Sequence, residues 1–272
     1  ADGSGSTADF STLNITADNT VHLDGPRTLT SLKFGDLTTA SNNWTLDNNG
    51  SSLNILTLAG TTPTITVDNQ TATISAEIAG TEGFTKDGAG TLVLSGTNSY
   101  SGTTNVSAGT LLVSGDTNVG ASAISITKGT LEIGNGGTLT AGAVSRNGSG
   151  SGNVKINAGG TLNAATFNNS YASSTFLVDG TLNLTTSLTM AIGTNRTITG
   201  TGTINTKVYN NNKGAHITFD ALRMNLGSGG ISGDGGTFTF NGTTLGASDN
   251  WSSARSFALS DASTVIINTL DS

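Results

Sequence analysis

The 272 residues include no cysteine. That excludes disulfides, thiolate metal centres and cysteine nucleophiles, and it leaves backbone ladders and packing to supply stability. Charge is scarce too: 11% of residues are Asp, Glu, Lys or Arg, against roughly 25% in an average domain. The balance is acidic at −7, and the 11 Lys and Arg are scattered. Such a surface repels phosphate backbones, so no nucleic-acid partner is expected. It does suit a chain that must stay soluble outside a cell. Aromatics are only 5%, which argues against a wide core. Glu77, Glu82 and Glu132 are the only glutamates, and no apolar stripe recurs at i, i+3, i+4, i+7, so helix is not expected. No apolar run approaches the ~18 residues of a membrane-spanning helix. The chain opens at Ala1 rather than Met, which reads as a mature or excised piece of something longer.

Thr, Asn, Ser and 38 Gly dominate instead, with Leu, Ile and Val at short intervals. Thr64-Ile65-Thr66-Val67, Thr91-Leu92-Val93-Leu94, Ala123-Ile124-Ser125-Ile126 and Val154-Lys155-Ile156 are typical segments. Each alternates or is β-branched, and each is bounded by turn formers, so each reads as a strand. Gly-Thr-Leu recurs at Gly90, Gly109, Gly129, Gly137, Gly160 and Gly180, with looser copies at Gly202 and Gly236. Most intervals are close to 20 residues, while those after Gly129, Gly137 and Gly202 are irregular. A fixed period of this length is the mark of a solenoid.

The expected fold is therefore all-β: a single right-handed parallel β-helix of about 20 residues per coil. Three short strands and tight turns would make a triangular rung, stacked at ~4.8 Å on its neighbours. The chain would then give about 13 rungs and a rod of roughly 60 Å. Leu points inward and Thr outward. Gly takes the turns that need positive φ, and Asn can ladder from rung to rung. A β-sandwich is the competing architecture, but it gives no reason for a recurring Gly-Thr-Leu. Residues 1–272 read as one continuous segment: lead-in coils over 1–80, the clearest repeat over 81–112, and irregular coils over 113–272. Loops are expected near 146–153 and 210–214.

The window from Gly83 to Leu111 is the most diagnostic. Lys86, Gly88, Gly90, Thr91, Leu92, Leu94, Ser95, Gly96, Asn98, Tyr100, Gly102, Thr104, Val106, Gly109, Thr110 and Leu111 together closely resemble the autotransporter-associated β-strand repeat, also called the passenger-associated transport repeat. Residues 20–80 resemble the lead-in often found in large proteins of that type. The resemblance implies a parallel β-helical passenger, exported by type V secretion to the outer-membrane surface or beyond. It implies no catalytic residue. The sequence departs from the family's full pattern in showing no C-terminal membrane barrel, so membrane contact is expected only through a barrel or anchor elsewhere.

No residue set demands chemistry. His216 and Asp220 would share one face of a strand, but surface decoration is the plainer reading. The acids are dispersed, mostly beside turn glycines, so the paired carboxylates of a polysaccharide-cleaving β-helix are not evident. Residues 229–236 resemble a calcium-binding nonapeptide only faintly, without a tandem copy. No catalytic residue, cofactor or metal is expected. Trp44, Trp251, Tyr171 and Tyr209 are the side chains best suited to stack on a glycan. The plainer reading packs them over a rod end or beneath a loop, since large rings do not fit a narrow coil. The functional expectation is a non-enzymatic surface stalk or adhesive module, with cell-surface glycans or other cells as partners. A carbohydrate-binding or polysaccharide-cleaving β-helix is the alternative.

Overall fold

The computed structural model describes residues 2–37, 42–146, 152–169, 175–191, 195–212, 216–233, 237–249, 258–259 and 266–268. All regular structure among them is β-strand. Every described strand pair is parallel, which rules out the sandwich. The ladder of the largest sheet runs from Thr7–Asp9 through Ser31–Phe34, Thr64–Val67 and Thr85–Asp87 onward to Ile266–Asn268, passing thirteen strands in chain order. A second sheet of 12 strands runs alongside it, from Asn19–His22 to Ala258–Leu259. The chain is a β-solenoid of roughly 21 residues per turn.

Alternation decides what lies inside. In Thr91–Leu94, Thr110–Val113 and Thr130–Ile133, the Leu of each Gly-Thr-Leu is buried and the Thr is half-exposed. The three threonines are register partners, as are Leu92, Leu111 and Leu131. Each column buries one apolar side chain per coil, worth roughly 1.5–3 kcal/mol apiece.

The irregular spacing of the motif has a structural cause. Up to Gly129, Gly-Thr-Leu heads strands of the second sheet; at Gly137, Gly160, Gly180 and the looser Gly202 it heads strands of the first, and the looser copy before Phe238 returns to the second. Thr138, Thr161, Thr181 and Thr203 form a separate column. The short interval after Gly129 is thus one coil carrying the motif twice. Two interleaved columns of similar period account for the broken rhythm.

Three separate strands make up the rung in the early coils. There a third sheet of Arg27–Leu29, Leu56–Leu58 and Ile78–Ala79 supplies the third side. Asn98 carries that side onward by pairing with Thr117. Asp116–Asn118 then pairs with the first half of Thr138–Arg146, while Ala123–Ile126 pairs with its second half. From that strand on, the third side and the first sheet are one continuous bent strand per coil. The bend is a small-residue or bulged corner: Gly142 has no room for a Cβ, which would lie 2.1 Å from the Ala121 carbonyl oxygen. Later coils shift register between Ala164 and Thr166, Leu184 and Ser187, and Thr206 and Val208. A bulge turns a strand without breaking it, so one of the three corners becomes a bend within a strand in place of a loop.

The interior is also wider than expected. Phe34, Tyr100, Phe167, Phe176, Tyr209, Phe219, Phe238 and Phe240 are all fully buried. Phe167 stacks on Phe176 at 4.6 Å with planes 5° apart, and Phe219 on its register partner Phe240 at 5.4 Å and 14°. Rung spacing close to ring-stacking distance lets planar side chains pile along the axis.

On the outer face the anticipated asparagine ladder is present. Asn183 donates Nδ2 to Asn163 Oδ1 at 2.9 Å, Asn205 to Asn183 at 2.7 Å, and Asn225 to Asn205 at 2.6 Å. It ends where Gly246 follows Asn225 in register. Asn183 both donates and accepts, so Asn183→Ala should cost about 1–3 kcal/mol for two half-buried hydrogen bonds. Denaturant unfolding monitored by circular dichroism would show it. The loop expected over 210–214 is not a loop at its start, because the strand Thr203–Asn212 runs through it. The other expected loop, after Arg146, falls largely outside the described residues.

Candidate functional site

The candidate glycan-binding aromatics are not gathered on a surface. Trp44 is 4% exposed. Its Nε1 donates to the Gly35 carbonyl at 2.8 Å, and its ring packs on Phe10 and Phe34. Tyr209 is fully buried, edge-on to Phe219 and Phe238. Neither offers a face to a sugar. Trp251 and Tyr171 lie outside the described residues.

Shallow surface grooves are present among the described residues. One, of about 300 Å³, is lined by Thr62, Pro63, Glu82, Thr85, Thr103 and Asn105 among others. Another, of about 350 Å³, includes Asn48, Ser75, Glu77, Ser95 and Thr97. Each holds one carboxylate, and Glu77 already accepts a hydrogen bond from Ser99 Oγ at 2.6 Å. Glycoside hydrolysis ordinarily uses two carboxyl groups about the scissile bond. His22 Nδ1 lies 2.6 Å from Asp47 Oδ1 on an exposed face, and that contact holds the Asp47 carboxyl below its ordinary range. His216 contacts Thr237 Oγ1 at 2.7 Å, while Asp220 accepts from Asn241 at 2.7 Å. Each side chain is thus tied to the next coil, not to the other. Of the calcium-like run, Gly229–Gly233 lies within the strand Arg223–Gly233, and 234–236 are outside the described residues.

The densest arrangement of specific roles is in the repeat itself. Leu92, Leu94 and Leu111 fill the axis. Gly88, Gly102 and Gly109 have positive φ. A Cβ at Gly88 would sit 2.2 Å from the Val67 carbonyl oxygen; at Gly90 and Gly96 the nearest backbone oxygens would be 2.7 and 2.6 Å away. These glycines let one turn lie flat on its predecessor. Asn98 is buried and bridges three coils: its Oδ1 accepts from Ile78 N at 3.0 Å, while its Nδ2 donates to Thr117 Oγ1 at 3.1 Å and to the Gly96 carbonyl. Tyr100 packs on Phe84 at 5.3 Å and hydrogen-bonds Thr104 Oγ1 at 2.9 Å.

Lys86 is the unusual member. It points into the coil with no exposed surface, and its Nζ donates to the carbonyls of Asp87, Gly88 and Ala108 at 2.8, 2.9 and 3.2 Å. A single lysine thus cross-links the turns of two successive coils. Burial pulls its ammonium down to about 8, against a smaller opposing pull from Asp87. The folded chain therefore binds fewer protons here than the unfolded chain between about pH 8 and 10.5. Stability contributed by this site should rise as pH increases through that window. Denaturation midpoints across it should show a positive slope that Lys86→Met removes; equal slopes in both proteins would contradict the burial effect.

These glycine, leucine, asparagine and lysine positions fall within or beside one matched family segment. The Passenger-associated-transport-repeat family matches residues 84–113. The chain thus carries a passenger-associated transport repeat and is similar to autotransporter passengers. It is similar to the "Adhesin BmaC autotransporter" of Brucella suis biovar 1 (strain 1330), 37% identical over 120 residues. That alignment covers 41% of this chain and 4% of the relative, so the chain spans a small part of that protein's length. No solved structure matches.

The sequence missed a different group. The loop expected near 146–153 would begin at Arg146, yet Arg146 is the last residue of Thr138–Arg146 and is buried, and Arg196 is buried as well. The signal was available: Val144 and Arg146 continue the inward alternation of their strand.

Proposed function

We propose that the chain is a rigid, non-enzymatic stalk segment of a cell-surface type V secreted protein. The observation that carries this is the uninterrupted parallel ladder of thirteen strands with one apolar cluster running along it. Such a stack resists bending because every coil is bonded to both neighbours. At ~4.8 Å per coil it adds about 60 Å of reach. The grooves, each with a single carboxylate, favour this over the polysaccharide-cleaving reading.

A second reading, adhesion through the outer Thr and Asn columns, is favoured by the name of the Brucella relative. Extended polar columns suit contacts with glycans or neighbouring cells over a broad, shallow area. One experiment separates the readings. The chain is inserted between a cell-surface anchor and an epitope, and epitope height is measured together with attachment to host cells and a glycan array. The stalk reading expects the height to grow by about 60 Å, with no gain in attachment. Saturable attachment by the purified chain would establish adhesion. No gain in height, or turnover of a polysaccharide panel, would overturn the stalk.

A further inference from the structure

The middle coils hold two buried cations. Arg146 is 2% exposed and Arg196 6%. Arg146 pairs in register with Asn169, itself 2% exposed, one coil further along. Arg196, on Asn195–Thr199 of the second sheet, donates Nη1 to the Asn169 carbonyl at 3.2 Å and to Asn169 Oδ1 at 3.1 Å. Asn169 thus lies beside Arg146 in the ladder and accepts from Arg196. Arg146 Nη2 donates to the Gly152 carbonyl. Its Nε and Nη1, both fully buried, have no partner among the described residues. Those two nitrogens carry three N–H donors. The Tyr209 hydroxyl, in the electrostatic reach of Arg196, is likewise buried and unpartnered among the described residues.

No acid lies near Arg146 among the described residues. Between Glu132 and Asp220 the sequence contains a single acidic residue, Asp179. Its carboxylate accepts from the backbone N and hydroxyl of Thr201 at an exposed turn. Glu132 accepts from Asn157 on the outer face, and Asp220 from Asn241. Burial first, and then the neighbouring Arg196, pull Arg146 down to about 10, which still leaves it charged at neutral pH. Buried charges persist when they are paired or fully hydrogen-bonded, and neither condition is met at Arg146 by the described residues.

We propose that Arg146, with Arg196 and Asn169, forms an interior site for a small inorganic anion of chloride to phosphate size. The donors all come from consecutive coils, so the site exists only once those coils have stacked. An anion taken up there stabilises the folded chain and not the unfolded one. Folding of the mid-section thereby becomes linked to the anions of the medium into which the chain emerges.

The test is thermal unfolding of the 272-residue chain at fixed ionic strength, with gluconate replaced stepwise by chloride, phosphate or sulfate. The expected result is a saturable rise in Tm with at least one of them, absent from Arg146→Met. The three arms identify which anion is taken. No response in the unsubstituted chain, or the same response in Arg146→Met, would overturn the proposal. Should Arg146→Met fail to fold, crystals of the unsubstituted chain grown in bromide and in selenate decide the matter. Anomalous density beside Arg146 in either supports the site, and its absence from both overturns it.

Discussion

Phe219→Ala is expected to lower stability by about 3–5 kcal/mol, the usual cost of emptying a large buried aromatic position. Phe219 is fully buried in the second sheet. It touches rings on both sides: Phe240 stacked beneath it at 5.4 Å and Tyr209 edge-on at 5.4 Å. Its register neighbours Ile198 and Phe240 are fixed by the ladder, so the interior has little freedom to collapse into the space. Because each coil contacts only its neighbours, the loss should be felt locally before it is felt globally. Hydrogen exchange should therefore accelerate most in Asn195–Thr199, His216–Asp220 and Phe238–Asn241, and least in Thr71–Ile74. A uniform acceleration along the chain would mean that the coils are not independent neighbours.

Gly109→Ala should be as damaging, for a different reason. Gly109 has φ of +59°, and a Cβ there would lie 2.3 Å from the Gly90 carbonyl oxygen and 2.5 Å from that of Gly88. Both obstacles are backbone atoms of the coil below, so relief requires the two coils to separate. Gly136 is the control: its φ is +76°, but a Cβ would meet nothing within 4 Å. Gly136→Ala should lose only the conformational cost of a left-handed alanine, about 1–2 kcal/mol. Gly109→Ala should exceed it clearly, reaching about 4 kcal/mol or more. Equal losses in denaturant unfolding would show that φ, and not close stacking, explains the motif glycine.

Much of this fold was legible in the residues. Leu92, Leu111 and Leu131 announce an inward column because strand alternation has a period of two, and Gly109 announces a turn because few residues tolerate its φ. The merging of the third side into long bent strands was not legible. It depends on corners at Gly142, Ala164 to Thr166 and Leu184 to Ser187, and a bulge within a polar strand leaves no apolar signature. The 8-residue step from Gly129 to Gly137 looked like noise because one tripeptide serves two columns. Low aromatic content suggests a narrow axis and so puts Trp44 and Tyr209 over a rod end or beneath a loop; ring stacking along the rungs makes room for them inside. Arg146 closes an inward alternation with Val144, but the glycine- and serine-rich run that follows makes a cation there read as the start of a loop.

The central claim is that successive coils stack in a single direction without folding back. The chain has no cysteine, so spin labels can be placed cleanly at engineered pairs. Thr73, Val93, Leu112, Glu132, Lys155, Leu177, Thr199, Asp220 and Asn241 form one column of register partners. Pulsed electron-spin distances from Thr73 to Lys155, Thr199 and Asn241 should grow to about 19, 29 and 38 Å, one rung spacing of ~4.8 Å per coil. A distance that levels off or shortens toward Asn241 would contradict the stack.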